Sequence, residues 1–435
     1  MNRTEELYKL YLGHPQVFTD TRSPVKDGIY FALSGPNFNG NLFAQQALEA
    51  GAAYAVVDQE LTLKDERIIK VADALKALQE LALHHRKQLK CKILAITGSN
   101  GKTTTKELVA SVLKARYQTH YTEGNLNNHI GVPLTLLQIR QGIEIAVIEM
   151  GASKPGDIKE LCDIAAPDYG LITNIGKAHL EGMGGYEGVV QTKTELYDFL
   201  KANSGLVFVN TNHAVFTTKA EGMRQFTFGT SENNEVVGVF EGSAPFASLK
   251  WQYCKKGQAQ FSEWQHVRSQ LIGYYNFENI LAAAAVGCFF EVPVQAICKA
   301  LEDYRPQNNR SQVLDTGKNI LIMDAYNANP TSMEAALQNF ALNEAKEKVV
   351  ILGKMMELGA VSAHEHKRIA NLAVGLLDTT VLLVGDLYTE IPSGVQHFKQ
   401  TDDLALWLTA HPLKGKTILI KGSRANRLEQ LSSLL

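Results

Sequence analysis

Apolar residues fall into short unbroken runs separated by polar, glycine-containing loops, and this rhythm recurs along the whole chain. Near the N-terminus, Gly28-Ile-Tyr-Phe-Ala-Leu33 and Ala55-Val-Val57 read as strands, with a helical segment from Asn41 to Ala50 stopped by Gly51. Glycine closes a helix cheaply because it takes the left-handed backbone without a Cβ clash. A charged helix, Ala72 to Lys90, links this part to the next. Ile93-Leu-Ala-Ile-Thr97, Ile145-Ala-Val-Ile148 and Leu171-Ile-Thr173 are buried-strand runs alternating with helices, which predicts a parallel α/β sheet. From about 205 to 270 the texture alternates, as in Leu249-Lys-Trp251-Gln-Tyr253, and antiparallel additions are predicted there. An alanine-rich helix, Asn279 to Phe289, closes that region. Four more runs follow: Ile320 to Met323, Val349 to Leu352, Val381 to Val384 and Ile418 to Ile420. Each feeds a polar loop, the look of a small doubly wound, Rossmann-like sheet with ligands at its strand carboxyl ends. Three α/β domains are expected, over 1–88, 89–308 and 309–435.

Composition narrows the classes. The 435 residues carry 43 Lys and Arg against 45 Asp and Glu, and a formal net charge of -2 argues against a dedicated nucleic-acid binder. The five cysteines (91, 162, 254, 288, 298) include no C-x-x-C pair, so neither a disulfide framework nor a zinc signature is present. The first residues lack an apolar signal region, and the longest apolar run, Ile280 to Phe290, is about half a membrane span. A cytoplasmic enzyme without a membrane span is expected.

Thr97-Gly98-Ser99-Asn100-Gly101-Lys102-Thr103-Thr104 lies between a buried strand and a helix. Glycines let backbone N–H groups wrap phosphates, the helix N-terminus adds its dipole, and Lys102 supplies a point charge. The Thr103 hydroxyl is placed to ligate Mg²⁺. The first glycine of the common P-loop pattern is missing, since Ile96 stands there. An ordinary βα turn is the plain alternative; the strand-loop-helix context favours an ATP site. Glu149 ends an apolar strand beside that loop, where a metal-holding acid belongs, although a helix cap would use the same residue. His179 follows another buried strand, so its loop should open at the same sheet edge. Lys193 reads by itself as a solvated helical lysine.

Longer segments carry a resemblance. Gly98-Ser-Asn-Gly-Lys-Thr-Thr-Thr-Lys-Glu107, Gly124-Asn-Leu-Asn-Asn-His-Ile-Gly131, Glu149-Met-Gly-Ala-Ser153, Thr173-Asn-Ile-Gly-Lys-Ala-His-Leu-Glu-Gly182 and Asp324-Ala-Tyr-Asn-Ala-Asn-Pro330 resemble the Mur ligase family, nearly end to end and in order. The resemblance implies an N-terminal α/β UDP-sugar domain, a central P-loop ATPase domain with antiparallel β additions, and a C-terminal Rossmann-like domain. It implies ATP and Mg²⁺ as cofactors, UDP-N-acetylmuramoyl-tripeptide and D-alanyl-D-alanine as substrates, and a monomer. Gly98, Ser99, Asn100, Gly101, Lys102, Thr103 and Thr104 would hold phosphates; Asn279, Arg310 and Asp324 would hold the rest of the nucleotide. Thr103, Glu149, His179 and a carbamylated Lys193 would serve the metal, with Lys102, Lys193, His179 and Glu149 supporting catalysis. Thr21, Arg22, Ser23, Ser34 and Asn39 would meet the UDP-sugar. Asn125, Asn128, Asn327, Asn329, Lys421, Ser423 and Arg424 would line the acyl and dipeptide sites. Tyr275, His129 and Lys354 depart from residues usual in the family.

The implied chemistry is activation of a terminal carboxylate by the γ-phosphate of ATP, then attack by the dipeptide amine on the acyl phosphate. Within the superfamily the alternative is an earlier Mur ligase that adds meso-diaminopimelate or lysine, or a folylpolyglutamate synthase. An ATP-hydrolysing switch is the alternative from another class, and it leaves the third domain's strand-end motifs without a purpose.

Overall fold

Three multistranded sheets form where the continuous apolar runs fall, and the computed structural model describes residues 3–435 except 178–179, 244–245, 255–259 and 308. The first sheet is parallel, with Val17–Phe18, Ile29–Phe31, Tyr54–Val57 and Ile68–Lys70 in that spatial order. The segment predicted as one helix from Asn41 divides into a 3-10 turn, Gly40–Phe43, and a helix, Ala44–Glu49, ahead of Gly51 at φ +100°. The linking helix runs Ala74–Gln88. It starts where the Asp73 side chain accepts the Lys76 N–H at 2.8 Å, and it ends with His85, Arg86 and Lys87 beside its negative pole.

In the central sheet Lys92–Thr97 lies between Tyr169–Ile172 and Ile145–Glu149, all parallel. The carboxyl ends of these three strands therefore open at one edge. Antiparallel pairing, predicted from about 205, begins only at Val236–Ser243, which pairs with Phe246–Tyr253 and through it with Gln265–Ile272. Leu206–Asn210 and Arg224–Gly229 continue the parallel sheet. Their burial explains the difference: Leu206–Asn210 is buried at every position, as an inner parallel strand must be, whereas Phe246–Tyr253 alternates.

The third sheet orders its strands Gln312–Asp315, Ile320–Asp324, Thr417–Lys421, Lys348–Gly353, Thr380–Val384 and Gln396–Phe398. Only the first pair is antiparallel. Its register sets Asp324 directly opposite Lys421. The α/β architecture expected from the strand pattern is the one observed.

Core packing ties these units together unequally. One continuous apolar cluster joins Leu7, Tyr11, Leu78 and Leu81 of the N-terminal part to Val132, Leu136, Ile148 and Leu161 of the central part. The opposite face of the central sheet packs on the phosphate-loop helix and the alanine-rich helix. Among the described residues no helix is long and apolar enough to cross a membrane.

Candidate active site

The loop after Lys92–Thr97 leads into the helix Lys102–Lys114 through Gly98 at φ +144° and Gly101 at φ +76°. A Cβ at Gly98 would collide with the Thr173 hydroxyl, and one at Gly101 would lie 2.6 Å from Asn279 Oδ1. Close packing as well as backbone angle demands glycine at both. Thr105 N–H is the first of the helix to bond back, to the Gly101 carbonyl at 2.8 Å. The N–H groups of Lys102, Thr103 and Thr104 have no acceptor among the described residues and point out of the helix's positive end. The loop is gripped from behind: Ser99 N–H donates to the Asn174 carbonyl at 2.9 Å, Asn100 N–H to Asn174 Oδ1 at 3.0 Å, and the Thr173 hydroxyl to the Asn100 carbonyl at 2.6 Å. Lys102 Nζ folds over the loop, donating to the Gly98 carbonyl at 2.8 Å. Burial pulls its pKa below the usual lysine value, and the Arg310 charge acts in the same direction.

Glu149 lies at the neighbouring strand end and is 1% exposed. The Thr103 hydroxyl donates to its Oε2 at 2.9 Å, and Asn127 Nδ2 to its Oε1 at 2.7 Å. Fully buried Lys106 stands 3.9 Å from the same carboxylate and donates to the Thr122 carbonyl at 2.7 Å. A hydroxyl and one carboxylate beside free phosphate-binding N–H groups fit Mg²⁺, which takes few protein ligands and completes its shell with phosphate oxygens and water. Among the described residues no three His, Cys, Asp or Glu side chains gather as a metal cage. Asn127 and Lys106 escape the sequence reading: the asparagine run was the signal for one, and the other looks like a solvated helical lysine.

The third unit closes the site. Lys421, 2% exposed, donates to Asp324 Oδ2 at 2.5 Å, as their opposed register requires. The Arg310 guanidinium stacks 3.6 Å from the Tyr326 ring. A cavity of about 1410 Å³ connects the phosphate loop and Glu149 to Asn279, Arg310, Asp324, Asn327 and Lys421. That volume exceeds an ordinary small-molecule site and has room for several ligands at once. Asn279 touches the loop as well as the cavity, accepting from the Thr105 hydroxyl at 3.0 Å.

Other predicted positions fall elsewhere. His179 lies outside the described residues. Lys193 is 1% exposed and is not among the residues lining the cavity, and among the described residues its Nζ has no hydrogen-bond or ion-pair partner. Burial drives its pKa well below the usual lysine value, and the Lys102 charge adds to that; the Asp157 and Glu195 carboxylates oppose it. Asn128 borders the cavity, but its Oδ1 accepts the Gly131 N–H at 2.9 Å and so shapes the turn into the next helix; Asn125 is exposed. Asn329 is turned from the cavity into a helix cap. Ser423 is buried against Asn426, and Arg424 is exposed near Tyr326. Thr21, Arg22, Ser23, Ser34 and Asn39 stay on the first unit, away from this cavity. Arg22 pairs with Asp20 at 2.7 Å, and Ser34 donates to Asn39 at 3.1 Å. Of the departures, Tyr275 hydrogen-bonds Ser311 at 2.9 Å, Lys354 pairs with Asp386 at 2.8 Å, and His129 is exposed.

Known proteins share this plan. Residues 96–287 match the Mur ligase middle domain, and residues 309–424 match the Mur ligase, glutamate ligase domain. A UDP-N-acetylmuramoyl-tripeptide--D-alanyl-D-alanine ligase of Bacillus subtilis is 33% identical over 98% of this chain and 96% of its own length. A ligase of the same name from Escherichia coli is 33% identical over 95% and 92%. A crystal structure of MurF from Acinetobacter baumannii superimposes with a TM-score of 0.87 at 29% identity, covering 99% of this chain and 97% of that one. MurF ligase from Thermotoga maritima in complex with ADP gives 0.84 at 25% identity, covering 97% of each chain. The G51S mutant of L. casei FPGS is similar in fold alone, at 15% identity and a TM-score of 0.60, covering 82% of this chain and 94% of that one. With both domain patterns in order and relatives matched nearly end to end, the chain belongs to the Mur ligase family.

Proposed function

We propose that the chain joins D-alanyl-D-alanine to the terminal carboxylate of UDP-N-acetylmuramoyl-tripeptide at the expense of ATP, forming a C–N bond in peptidoglycan precursor synthesis. The observation that carries this reading is one cavity in which phosphate-loop N–H groups and Glu149 face Asp324, Asn327 and Lys421 of the third unit. Nearly full-length relatives named for that reaction support it. Lys102 leaves the Gly98 carbonyl for the transferring phosphoryl group, where its charge stabilises the transition state. The substrate carboxylate attacks the γ-phosphorus and ADP departs. The dipeptide amine then attacks the acyl carbon, forming the amide and releasing phosphate. Asp324 and Arg310 hold the nucleotide's ribose and phosphates with Asn279 at the base, while Asn327 and Lys421 orient the acceptor.

Thr103 and Glu149 would hold Mg²⁺, with His179 as a further ligand; the ion offsets the repulsion between carboxylate and triphosphate. Lys193 is assigned as a carbamate. Burial favours the neutral amine, the form that adds to CO₂ with loss of one proton, and the carbamate anion would balance the Lys102 charge. Thr21, Arg22, Ser23, Ser34 and Asn39 receive the UDP-sugar end. One chain supplies all these residues, so a monomer suffices, and a cytoplasmic location is proposed with it. The test is product formation from UDP-tripeptides ending in lysine or meso-diaminopimelate, each with D-alanyl-D-alanine or single amino acids. Amide formed only with the dipeptide is expected; preference for a single amino acid would move the chain to a sister activity, and ATP hydrolysis alone would overturn the reading.

A further inference from the structure

Both ends of the Asn329 side-chain amide are engaged within the protein. Its Oδ1 accepts the Ser332 N–H at 2.9 Å, its own N–H donates to the Ser332 hydroxyl at 3.1 Å, and it is 6% exposed at the start of the helix Pro330–Ala341. The Ser332 N–H can only donate, so the amide orientation is fixed and Nδ2 must face away from the cap. It reaches the phosphate loop and donates to Asn100 Oδ1 at 2.7 Å. One residue on, Thr331 accepts the Lys177 N–H at 3.1 Å, from the turn that follows Asn174. Asn100 is thus held by Asn174 on the central sheet and by Asn329 on the third unit, immediately before Gly101 turns the chain into the phosphate-binding helix end.

We infer that Asn329 is a positioning residue for the phosphate loop: it docks on Asn100 and sets how the loop presents its N–H groups to the nucleotide. The inference rests on the ligase reading above. Losing one neutral hydrogen bond that orients the loop weakens nucleotide binding about three- to tenfold. The dipeptide's KM is expected to stay near wild type, because Asn329 does not line the cavity.

The experiment is a double-mutant cycle on full-length protein. Asn329→Ser retains a helix-capping oxygen but cannot span to Asn100; Asn100→Ala removes the other half. The dissociation constant of a non-hydrolysable ATP analogue with Mg²⁺ is measured by calorimetry for wild type, each single variant and the double variant, and unfolding of each is followed alongside. Similar three- to tenfold losses in both single variants, with no further loss in the double and unfolding unchanged in Asn329→Ser, are expected. Unchanged nucleotide affinity in Asn329→Ser, or strictly multiplicative losses in the double variant, would overturn the inference while leaving the ligase reading intact. A wild-type protein that binds no nucleotide would overturn both.

Discussion

The two seams that flank the central sheet are built from different forces. On the N-terminal side Leu7, Tyr11, Leu78 and Leu81 share one apolar core with Val132 and Leu136, and the Tyr11 hydroxyl donates to the Leu137 carbonyl at 2.7 Å. Arg86 braces the same side, donating to Asp168 at 2.9 Å. On the C-terminal side the described polar contacts are discrete and include Asn329 to Asn100 at 2.7 Å, Lys177 to Glu365 and to Thr331, each at 3.1 Å, and Tyr275 to Ser311 at 2.9 Å. Ile272 supplies an apolar contact there, joining the third unit's core. Opening an apolar seam exposes area, at about 25 cal/mol for each Å². Exchanging polar partners for water or ligand costs little net. Parting the third unit from the central sheet should therefore cost less than parting the first. The reaction needs such an arrangement, because the site must admit three substrates and then exclude water.

The largest effect should come from between the seams. Lys102→Ala removes the charge proposed to act on the transferring phosphoryl group, and a loss of ~10³-fold or more in turnover is expected. Unfolding should be almost unchanged, since Lys102 is the first residue of its helix and joins neither core. Near-wild-type turnover would remove the phosphate-loop assignment. The next largest concerns the apolar seam. Leu136, fully buried in the shared cluster, should cost about 2–5 kcal/mol when cut to alanine. Denaturant unfolding should show the first and central units still melting together. A separate early transition of the N-terminal part would mean that its core is its own, and the comparison would fail.

What could be read from the sequence was local. The phosphate loop was legible because strand, glycine-rich turn and helix are contiguous, and Glu149 because an acid ending an apolar run is conspicuous. Asp324 and Lys421 were each visible at strand ends, but their pairing depends on strand order, which one sequence does not print. Lys106 drew no separate reading, because the carbonyl it reaches, Thr122, lies just past the end of another strand. Asn329 before Pro330 and Ser332 was readable as a helix cap. Its second bond crosses to a loop far away in sequence, and no local pattern encodes that. Antiparallel pairing was placed too early because polar residues around Leu206–Asn210 masked a short, fully buried strand.

The polar seam gives a smaller prediction. Glu365, with a side chain only 5% exposed, receives Lys177 at 3.1 Å and Arg368 at 2.7 Å. Glu365→Gln keeps the shape and removes the charge. Because Lys177 is more than half exposed, stability should fall by no more than about 1 kcal/mol. If the seam tunes closure, kcat/KM should fall about fivefold, roughly 1 kcal/mol of transition-state stabilisation. Equal or greater loss of stability with unchanged kcat/KM would make the contact purely structural.

The smallest expected effect separates the seams by pH. His85 lies in the apolar seam, within 3.0 Å of the Ile139 carbonyl and 3.3 Å of the Tyr8 hydroxyl. With Nε2–H donating to the carbonyl, Nδ1 must be unprotonated to accept from Tyr8, so the neutral ring fits both partners. Burial lowers its pKa, and the Arg140 and His84 charges act with it against the hydrogen bond to Ile139. The folded state thus binds the proton less readily than the unfolded one. Stability from this group is present above the ordinary histidine value of about 6.5 and falls as pH drops through it. Glu365 titrates lower: Arg368 and Lys177 hold its carboxyl below the usual range, against the burial that would raise it. Its ion pairs survive until the pH is acidic enough to protonate a carboxylate. Mild acidification, from about pH 7.5 to 5.5, should therefore loosen the N-terminal seam and spare the polar one. Urea unfolding of wild type and His85→Gln at both values is the check. A smaller pH dependence in the variant is expected, with Glu365→Gln retaining the wild-type dependence. Equal pH dependence in wild type and His85→Gln would place the titrating group elsewhere.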